Sequence, residues 1–443
     1  MENKQQYPKH KTIVFLALFL AVIISSNTVT GAAFFQDQLQ QDDNEYVEFS
    51  GTVEDNQTGN ALVFATISVE QTNISTITNT DGEFLIKIPK NLTGGTISIA
   101  ILGYKTKRIP ISELSSENNR IKLDILVTVL SEINVKLPKD AKALVRMTFK
   151  KKSENYLNKE ALMTAFYRET IKKRKKNVSL AEAIVNIYKQ PYAASKRDYI
   201  TLYKDRKSTD YSKLDTVALK LQGGPFNALY IDLMKYPEYV FTEDVMDLYL
   251  FSFAPSTTVN GKTVYVVRFK QRADIYKPLY YGKLFIDAET LALTSAVYNL
   301  NVEDRKQASE LFVLKKPRNV FVYPTEAAYR VDYREKDGKW LYGYSNVQLS
   351  FKINRKGKLF NSYYSLTSEM AVTDWKLNTD GESVKGRDRL RPSVIISDEA
   401  SGFSDPEFWG AFNVIEPEKS IESAIHKIRK QLKKVNSEDV ESI

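Results

Sequence analysis

The chain has 443 residues, 43% of them hydrophobic and 26% charged, with a formal net charge of +9, an ordinary globular balance with room for two or three cores. It contains no cysteine and only two histidines. That excludes disulfides, thiolate metal sites, a cysteine nucleophile, a lipidated N-terminal cysteine and a histidine-built metal centre.

Lys4, Lys9 and Lys11 form a positive start, Ile13 to Ile24 is an unbroken run of 12 apolar residues, and Gly31-Ala32-Ala33 offers a small-x-small cleavage site before Phe34. This is the three-part pattern of a secretory signal peptide over residues 1–33. A spanning helix needs about 17–25 apolar residues, so the run is too short for an anchor. Cleavage would remove His10, leave His426 as the single histidine and lower the net charge from +9 to +7. An exported chain of this size without cysteine fits a bacterial envelope, and the expected location is the periplasm or the outer-membrane surface.

Residues 34–45 are polar and acidic and read as a flexible lead-in. From Tyr46 short β-rich runs follow one another: "YVEFSGTVED", "ALVFATISVE", "ISTITNT", "EFLIKIP", "TISIAILGYKTKRIPI" and "RIKLDILVTVLSEINV". Asp81-Gly82 between the third and fourth is a hairpin signal. Strands at this spacing predict a small sandwich over 46–136. Gly51-Thr52-Val53, Thr58-Gly59, Ala61, Ala65-Thr66-Ile67, Thr80-Asp81-Gly82-Glu83-Phe84, Pro89 and Gly103-Tyr104 together resemble the carboxypeptidase-regulatory-like domain. The resemblance implies a seven-stranded, transthyretin-like sandwich that accompanies other domains. It does not imply peptidase activity. The zinc domain of that family needs a His-x-x-Glu pair and a later His, whereas His426 stands alone before Lys427, Ile428 and Arg429.

Beyond Pro138, Asp140 is placed to cap a helix over 140–154, with Ala141, Leu144, Val145, Thr148 and Phe149 on one face. "TAFYRETIKK" and "VSLAEAIVNIYK" flank the basic run Lys172 to Lys176 as a hairpin, and a short helix is expected over Pro225 to Met234. From Leu248 strands predominate, with turns at Asn260-Gly261 and Asp337-Gly338. In "KWLYGYSNVQLSFKI", Leu341, Gly343, Ser345, Val347, Leu349, Phe351 and Ile353 alternate with Tyr342, Tyr344, Asn346, Gln348, Ser350 and Lys352, which predicts one buried and one wet face. Residues 137–375 thus read as a large antiparallel sheet domain with helices. Its "YVVRFK…YYGKLFIDAETLALTSA" resembles the curved half-barrel of outer-membrane lipoprotein carriers. A polar stretch over 376–404 reads as a loop, and 405–443 closes with a helix carrying Ile421, Ile425, Ile428 and Leu432 on one stripe. The run from "FYRE" to "FWGAFNVIEPEKSIESAI" resembles the C-terminal part of Bacteroidetes-type carboxypeptidase-like regulatory-domain proteins.

Residues suited to chemistry are few. Asp42-Asp43 and Glu243, Asp244 and Asp247 are paired carboxylates, but no spacing sets them across a cleft, and they read as solvated loops. No Gly-x-Ser-x-Gly elbow, phosphate loop or dinucleotide fingerprint is present, and Gly223-Gly224 before Pro225 is a turn into a helix. Basic clusters at Lys150 to Lys152, Lys172 to Lys176 and Lys427 to Lys434 are solvated faces or meet anionic headgroups; export argues against nucleic acid. Tyr280, Tyr281, Tyr342 and Tyr344 suit cross-strand pairing before a sugar- or lipid-binding face.

The expectation is therefore a mainly β protein, a seven-stranded sandwich followed by a large curved antiparallel sheet with a few packed helices. No catalytic, cofactor-binding or metal-binding residue is assigned. The function expected is non-enzymatic binding or scaffolding in the envelope, with the sandwich as interaction module and one of its edge strands pairing with a partner strand. The partner would be an envelope protein or lipid, with peripheral membrane contact. The alternative is a carrier of lipid or another apolar ligand in the concave face of the large sheet.

Overall fold

The computed structural model describes residues 21–23, 46–126, 140–174, 176–209, 220–259, 262–313, 316–357, 359–399 and 408–417. The expected signal peptide lies outside these except for Ala21–Ile23 (β1), which pairs antiparallel with Lys220–Gln222 (β12). The lead-in 34–45, the Asn260-Gly261 turn and the helix expected beyond Pro417 also lie outside the described residues.

The sandwich is built from β2 (Tyr46–Asp55), β3 (Thr66–Val69), β4 (Ser75–Ile77), β5 (Glu83–Pro89), β6 (Thr96–Ala100), β7 (Lys107–Pro110) and β8 (Asn119–Leu123). One sheet has the order β5-β2-β8 and the other β4-β3-β6-β7. Alternate Ile and Val side chains point between them: Val53, Ile67, Phe84, Ile86, Ile97 and Ile99 are fully buried. Each such side chain contributes roughly 1.5–3 kcal/mol.

Asp81-Gly82 does not close a hairpin between paired strands. β4 pairs with β3 and β5 with β2, so the turn carries the chain from one sheet to the other. Asn79 builds it: the backbone N–H groups of Asp81 and Glu83 both donate to Asn79 Oδ1 at 2.9 Å. An Asx side chain can replace a strand partner in this way.

The second unit is one antiparallel sheet of ten strands, curved and ordered β11-β10-β9-β19-β18-β17-β16-β15-β14-β13. Its strands are β9 (Ala161–Lys173), β10 (Lys176–Lys189), β11 (Tyr199–Thr209), β13 (Tyr249–Val259), β14 (Lys262–Gln271), β15 (Tyr280–Asp287), β16 (Leu293–Leu300), β17 (Val320–Lys336), β18 (Lys339–Arg355) and β19 (Ser362–Leu377). Asp337 and Gly338, at φ +51° and +72°, form the tight turn joining β17 to β18.

Helices cover one face. Asp140 accepts from the Lys142 N–H and starts α1 (Ala141–Lys150), whose Ala141, Leu144, Val145 and Thr148 are buried; α2 (Lys152–Asn155) follows after a break at Lys151. The helix expected over 225–234 is shorter, α3 (Pro225–Leu229) followed by turns, where Asp232 and Tyr236 are drawn into side-chain bonds described below. α4 (Glu243–Met246) and α5 (Arg305–Phe312) complete the cover. The polar stretch begins after Leu377 and is pinned along β11, with Leu390 N–H donating to Ile200 O at 2.8 Å, before α6 (Ile396–Glu399).

The alternation expected in β18 breaks at Gly343. Asp332 faces Tyr344 and Tyr333 faces Tyr342, so one extra residue bulges out. Tyr342 consequently joins the core under the helices with Val347 and Leu349, while Tyr344 points to the opposite face. A Cβ on Gly343 would sit 2.8 Å from the Arg334 Cγ, so the bulge also makes room for that arginine. Nor is the second face wet near Tyr344. The sandwich and a strap, residues 408–417, lie across it and form a shared core of Ile77, Phe166, Ile184, Tyr344 and Trp409.

Candidate functional site

The strap is held to the sheet by a ladder of charges, and the sandwich to the strap by Asn413. Arg206, Glu182, Arg168 and Glu369 stand directly opposite one another on β11, β10, β9 and β19. Glu182 accepts from Arg168 Nε at 2.7 Å and from Arg206 Nε at 2.8 Å, and Arg168 Nη2 also donates to Ile415 O at 2.6 Å. Burial opposes the Glu182 charge, but the two guanidiniums outweigh it and hold its carboxyl below the usual range. Asn413 then clasps the edge of β5: its Oδ1 accepts from Lys87 N–H at 2.7 Å and its Nδ2 donates to Lys87 O at 3.1 Å. Two sandwich edges are therefore occupied from within, β5 by Asn413 and β4 by the neighbouring β19.

Between the sandwich and strands β16–β19 lies a cleft of about 390 Å³. Its sandwich wall comes from Thr66 to Ser75, and its sheet wall from Arg330, Asp332, Arg334, Trp340 and Trp375. Most of its charges are matched. Arg330 Nε donates to Asp332 Oδ2 at 2.7 Å, Lys336 Nζ to Asn73 Oδ1 at 2.6 Å, Arg108 pairs with Glu70 and Lys262 with Glu335. Arg334 Nη1 donates to Ser75 Oγ and, at 3.0 Å, to Val372 O.

Two donors of residues that line the cleft are not matched, one from each face of the sheet, since Arg334 stands opposite Leu341 and Trp340 opposite Glu335. Arg334 Nη2 and Trp340 Nε1 are shielded from solvent and have no hydrogen-bond partner among the described residues. Burial lowers the Arg334 guanidinium to about 10, against the pull of Asp332. Leaving a buried donor unmade costs about 1–3 kcal/mol, more for a charged group.

A second polar cluster lies under the helices. Lys189 Nζ donates to Asp198 Oδ2 at 2.8 Å and to Asp232 Oδ2 at 2.7 Å, all three fully or nearly fully buried. Tyr192 and Tyr333 donate to Asp232 at 3.0 and 2.9 Å, and Tyr236 to Asp198 at 2.8 Å. Burial opposes the Lys189 charge, yet Asp198 and Asp232 hold its ammonium above the ordinary lysine value. These two carboxylates face one another, but a lysine fills the space between them and the group is enclosed. It ties the turn after β10 to the 225–236 cover.

The residues weighed in the sequence are scattered. Glu243, Asp244 and Asp247 belong to exposed α4 and its end, where Asp247 pairs with Lys142 and Arg146 of α1. Asp42-Asp43 and Lys427 to Lys434 lie outside the described residues. Tyr280 packs edge-on against Tyr298 and Tyr329, Tyr344 lies against Phe64, and Tyr281 is half exposed. Among the described residues no group of three or more His, Cys, Asp or Glu is placed to hold a metal ion, and no helix is long and apolar enough to cross a membrane. Arg334 and Trp340 were not singled out by sequence. The available signal was an arginine in the alternating strand "YRVDYRE" opposite a glycine-interrupted one.

Residues 49–135 match the family model of the CarboxypepD_reg-like domain, a span that takes in the sandwich strands from Phe49 to Leu123. No curated protein matches the chain. Among solved structures, the chain is similar to an outer membrane lipoprotein-sorting protein domain from Vibrio parahaemolyticus, at 11% identity and TM-score 0.24, over 56% of this chain and 95% of that one. A DUF1329 family protein from Desulfovibrio piger ATCC 29098 aligns at 12% identity and TM-score 0.23, over 55% of this chain and 95% of that one. A membrane-associated protein of unknown function from Bacteroides fragilis NCTC 9343 aligns at 9% identity and TM-score 0.15, over 74% of this chain and 98% of that one.

Proposed function

We propose that this chain is a non-enzymatic exported envelope protein whose binding site is the cleft between the sandwich and the large sheet. Its ligand carries an exposed acceptor group, a carboxylate foremost, on a small molecule or on a protein segment. The observation that carries this reading is Arg334, a buried guanidinium with an unmatched Nη2, held beside the cleft on the sheet face that meets the sandwich. A carboxylate can accept from the Arg334 guanidinium, and a charge-assisted bond of that kind is among the stronger ones available. The sandwich then serves as a fixed wall, and an edge strand for a partner would be β7 or β8. Export rests on the N-terminal pattern of Lys4 to Ala33.

The carrier reading needs space beneath the helices. There Tyr156, Tyr192, Tyr236, Tyr239, Tyr298 and Tyr342 are fully buried against one another and the sheet, which favours binding in the cleft over carriage in the concave face. Titration with succinate and with short peptides ending in a free carboxylate tests the reading by intrinsic fluorescence, since Trp340 and Trp375 both line the cleft. Saturable quenching that weakens in Trp340→Phe and is lost in Arg334→Gln supports it. A response identical in all three proteins removes it.

A further inference from the structure

One end of the large sheet gathers loop tips that neither the cleft nor the strap uses. Strand register brings them together: Val320 faces Arg355, Ile353 faces Ser362, Tyr364 faces Lys173, and Lys173 faces Lys176. Lys356 N–H donates to Asn319 O at 2.9 Å, and Arg174 N–H to Tyr363 O at 2.8 Å. The β9–β10 hairpin, the entry to β17 and the β18–β19 loop therefore form one surface.

Its charge has one sign. Residues 172–177, 315–321 and 352–363 contain Lys and Arg throughout and no Asp or Glu. Arg174, Lys176, Lys316, Arg318 and Lys356 are exposed. At the crest, Leu359 and Phe360 are 96% and 82% exposed, with Phe321 and Tyr363 exposed beside them at 44% and 48%. A solvated turn asks for Gly, Asn, Asp or Ser, so adjacent Leu and Phe at the outermost point are the wrong residues for water alone. Lys316 and Lys173 lie 5.3 and 5.9 Å from the Phe321 and Tyr364 ring centres, keeping apolar body and cation side by side.

We infer that this tip docks the protein on an anionic phospholipid bilayer. Leu359 and Phe360 enter the acyl boundary while the surrounding cations meet headgroup phosphates. Charge complementarity selects the occupant: a cationic ring around an apolar crest matches an interface that is anionic outside and apolar beneath. Tyr363 and Ala371 are eight residues apart on β19, about 27 Å at strand rise, so docking leaves the sandwich and cleft clear of the membrane.

The test is flotation of the purified full chain with vesicles of phosphatidylethanolamine and phosphatidylglycerol, against vesicles of phosphatidylcholine. Binding to the anionic vesicles alone is expected, weakening with salt. It should fall at least about tenfold in Leu359→Ser with Phe360→Ser and about tenfold or more in Arg174→Glu with Lys356→Glu. Because the chain has no cysteine, Phe360→Cys labelled with a polarity-sensitive dye reports insertion directly. A blue shift is expected with anionic vesicles, and none from Glu113→Cys on the sandwich. Equal binding to both vesicle types, no binding, or binding unchanged by the tip variants overturns the inference. The last outcome would point to the apolar run 13–24.

Discussion

Arg168 on β9 and Glu182 on β10 face one another across the sheet, joined by a 2.7 Å bond and fully shielded beneath the strap and sandwich. Arg206 completes the pair from the other side, and Arg168 reaches the strap carbonyl of Ile415. An ion pair so deep is retained only when every charge is met, which makes this the point where the two units of the chain are keyed together.

Arg168→Met should cost about 3–5 kcal/mol, because it leaves Glu182 short of a partner. Replacing Arg168, Glu182 and Arg206 together by apolar residues of similar volume should restore much of that loss. Denaturant unfolding of the single and triple variants checks both values, and a triple variant no better than the single one would contradict the argument.

Acid should act through the same carboxyl. Glu182 has its pKa lowered from 4.5 in the folded chain, so its contribution is full above that value and is lost as pH falls through the lowered one. Glu182→Gln should therefore flatten the acid limb of stability below pH about 4.5. Thermal unfolding across that range is the measurement.

On the alkaline side Lys235 works in the opposite sense. Burial chiefly, with Lys189 adding, depresses its ammonium to about 8 against the pull of Asp198. The unfolded chain then holds the extra proton between about 8 and 10.5, so stability rises with pH across that window. Ionisation of the buried Tyr156, Tyr192 and Tyr333, whose pKa values burial raises, reverses the trend above about 10. Lys235→Met should abolish the rise between pH 8 and 9.5 in the same unfolding assay.

The clasp on β5 is tested by Asn413→Ala. Removing it leaves the Lys87 N–H and C=O unpaired at a buried edge, a loss of about 1–3 kcal/mol. Limited proteolysis should cut the strap near residues 408–417 faster in the variant, while hydrogen exchange in the ten-stranded sheet away from the strap stays unchanged.

Gly343→Ala probes the link between bulge and cleft. The new Cβ would meet Arg334 Cγ at 2.8 Å and push the guanidinium from its place beside Ser75. A stability loss of about 1–3 kcal/mol is expected, together with weaker binding of carboxylate probes.

Much of the fold was legible in the sequence, and the failures have physical causes. Alternating Ile and Val, the Asp140 cap and the Asp337-Gly338 turn are local signals, and each marks the element that forms. Asp81-Gly82 misled because a turn sequence cannot say whether its flanking strands share a sheet; Asn79 settles that through its own bonds. Gly343 hid a bulge, since a one-residue insertion flips every side chain beyond it without changing composition. The site was not legible. Arg334 and Trp340 lie across the β17–β18 hairpin and Arg168 and Glu182 across the β9–β10 hairpin, but what covers them, the sandwich and the strap, is seated by long-range contacts that no local pattern encodes. The lone charge Glu182 in "SLAEAIV" and the Arg168-Glu169 pair in "AFYRETI", set in largely apolar strands, were the available hint.

The central claim, that the cleft is the binding site, is tested most directly by native mass spectrometry of the chain purified gently from its own envelope, as wild type and as Arg334→Gln. A carboxylate-bearing molecule or protein segment is expected on the wild type, and Arg334→Gln should no longer retain it. A stoichiometric lipid held equally by both proteins would contradict it and return the concave face of the sheet as the site.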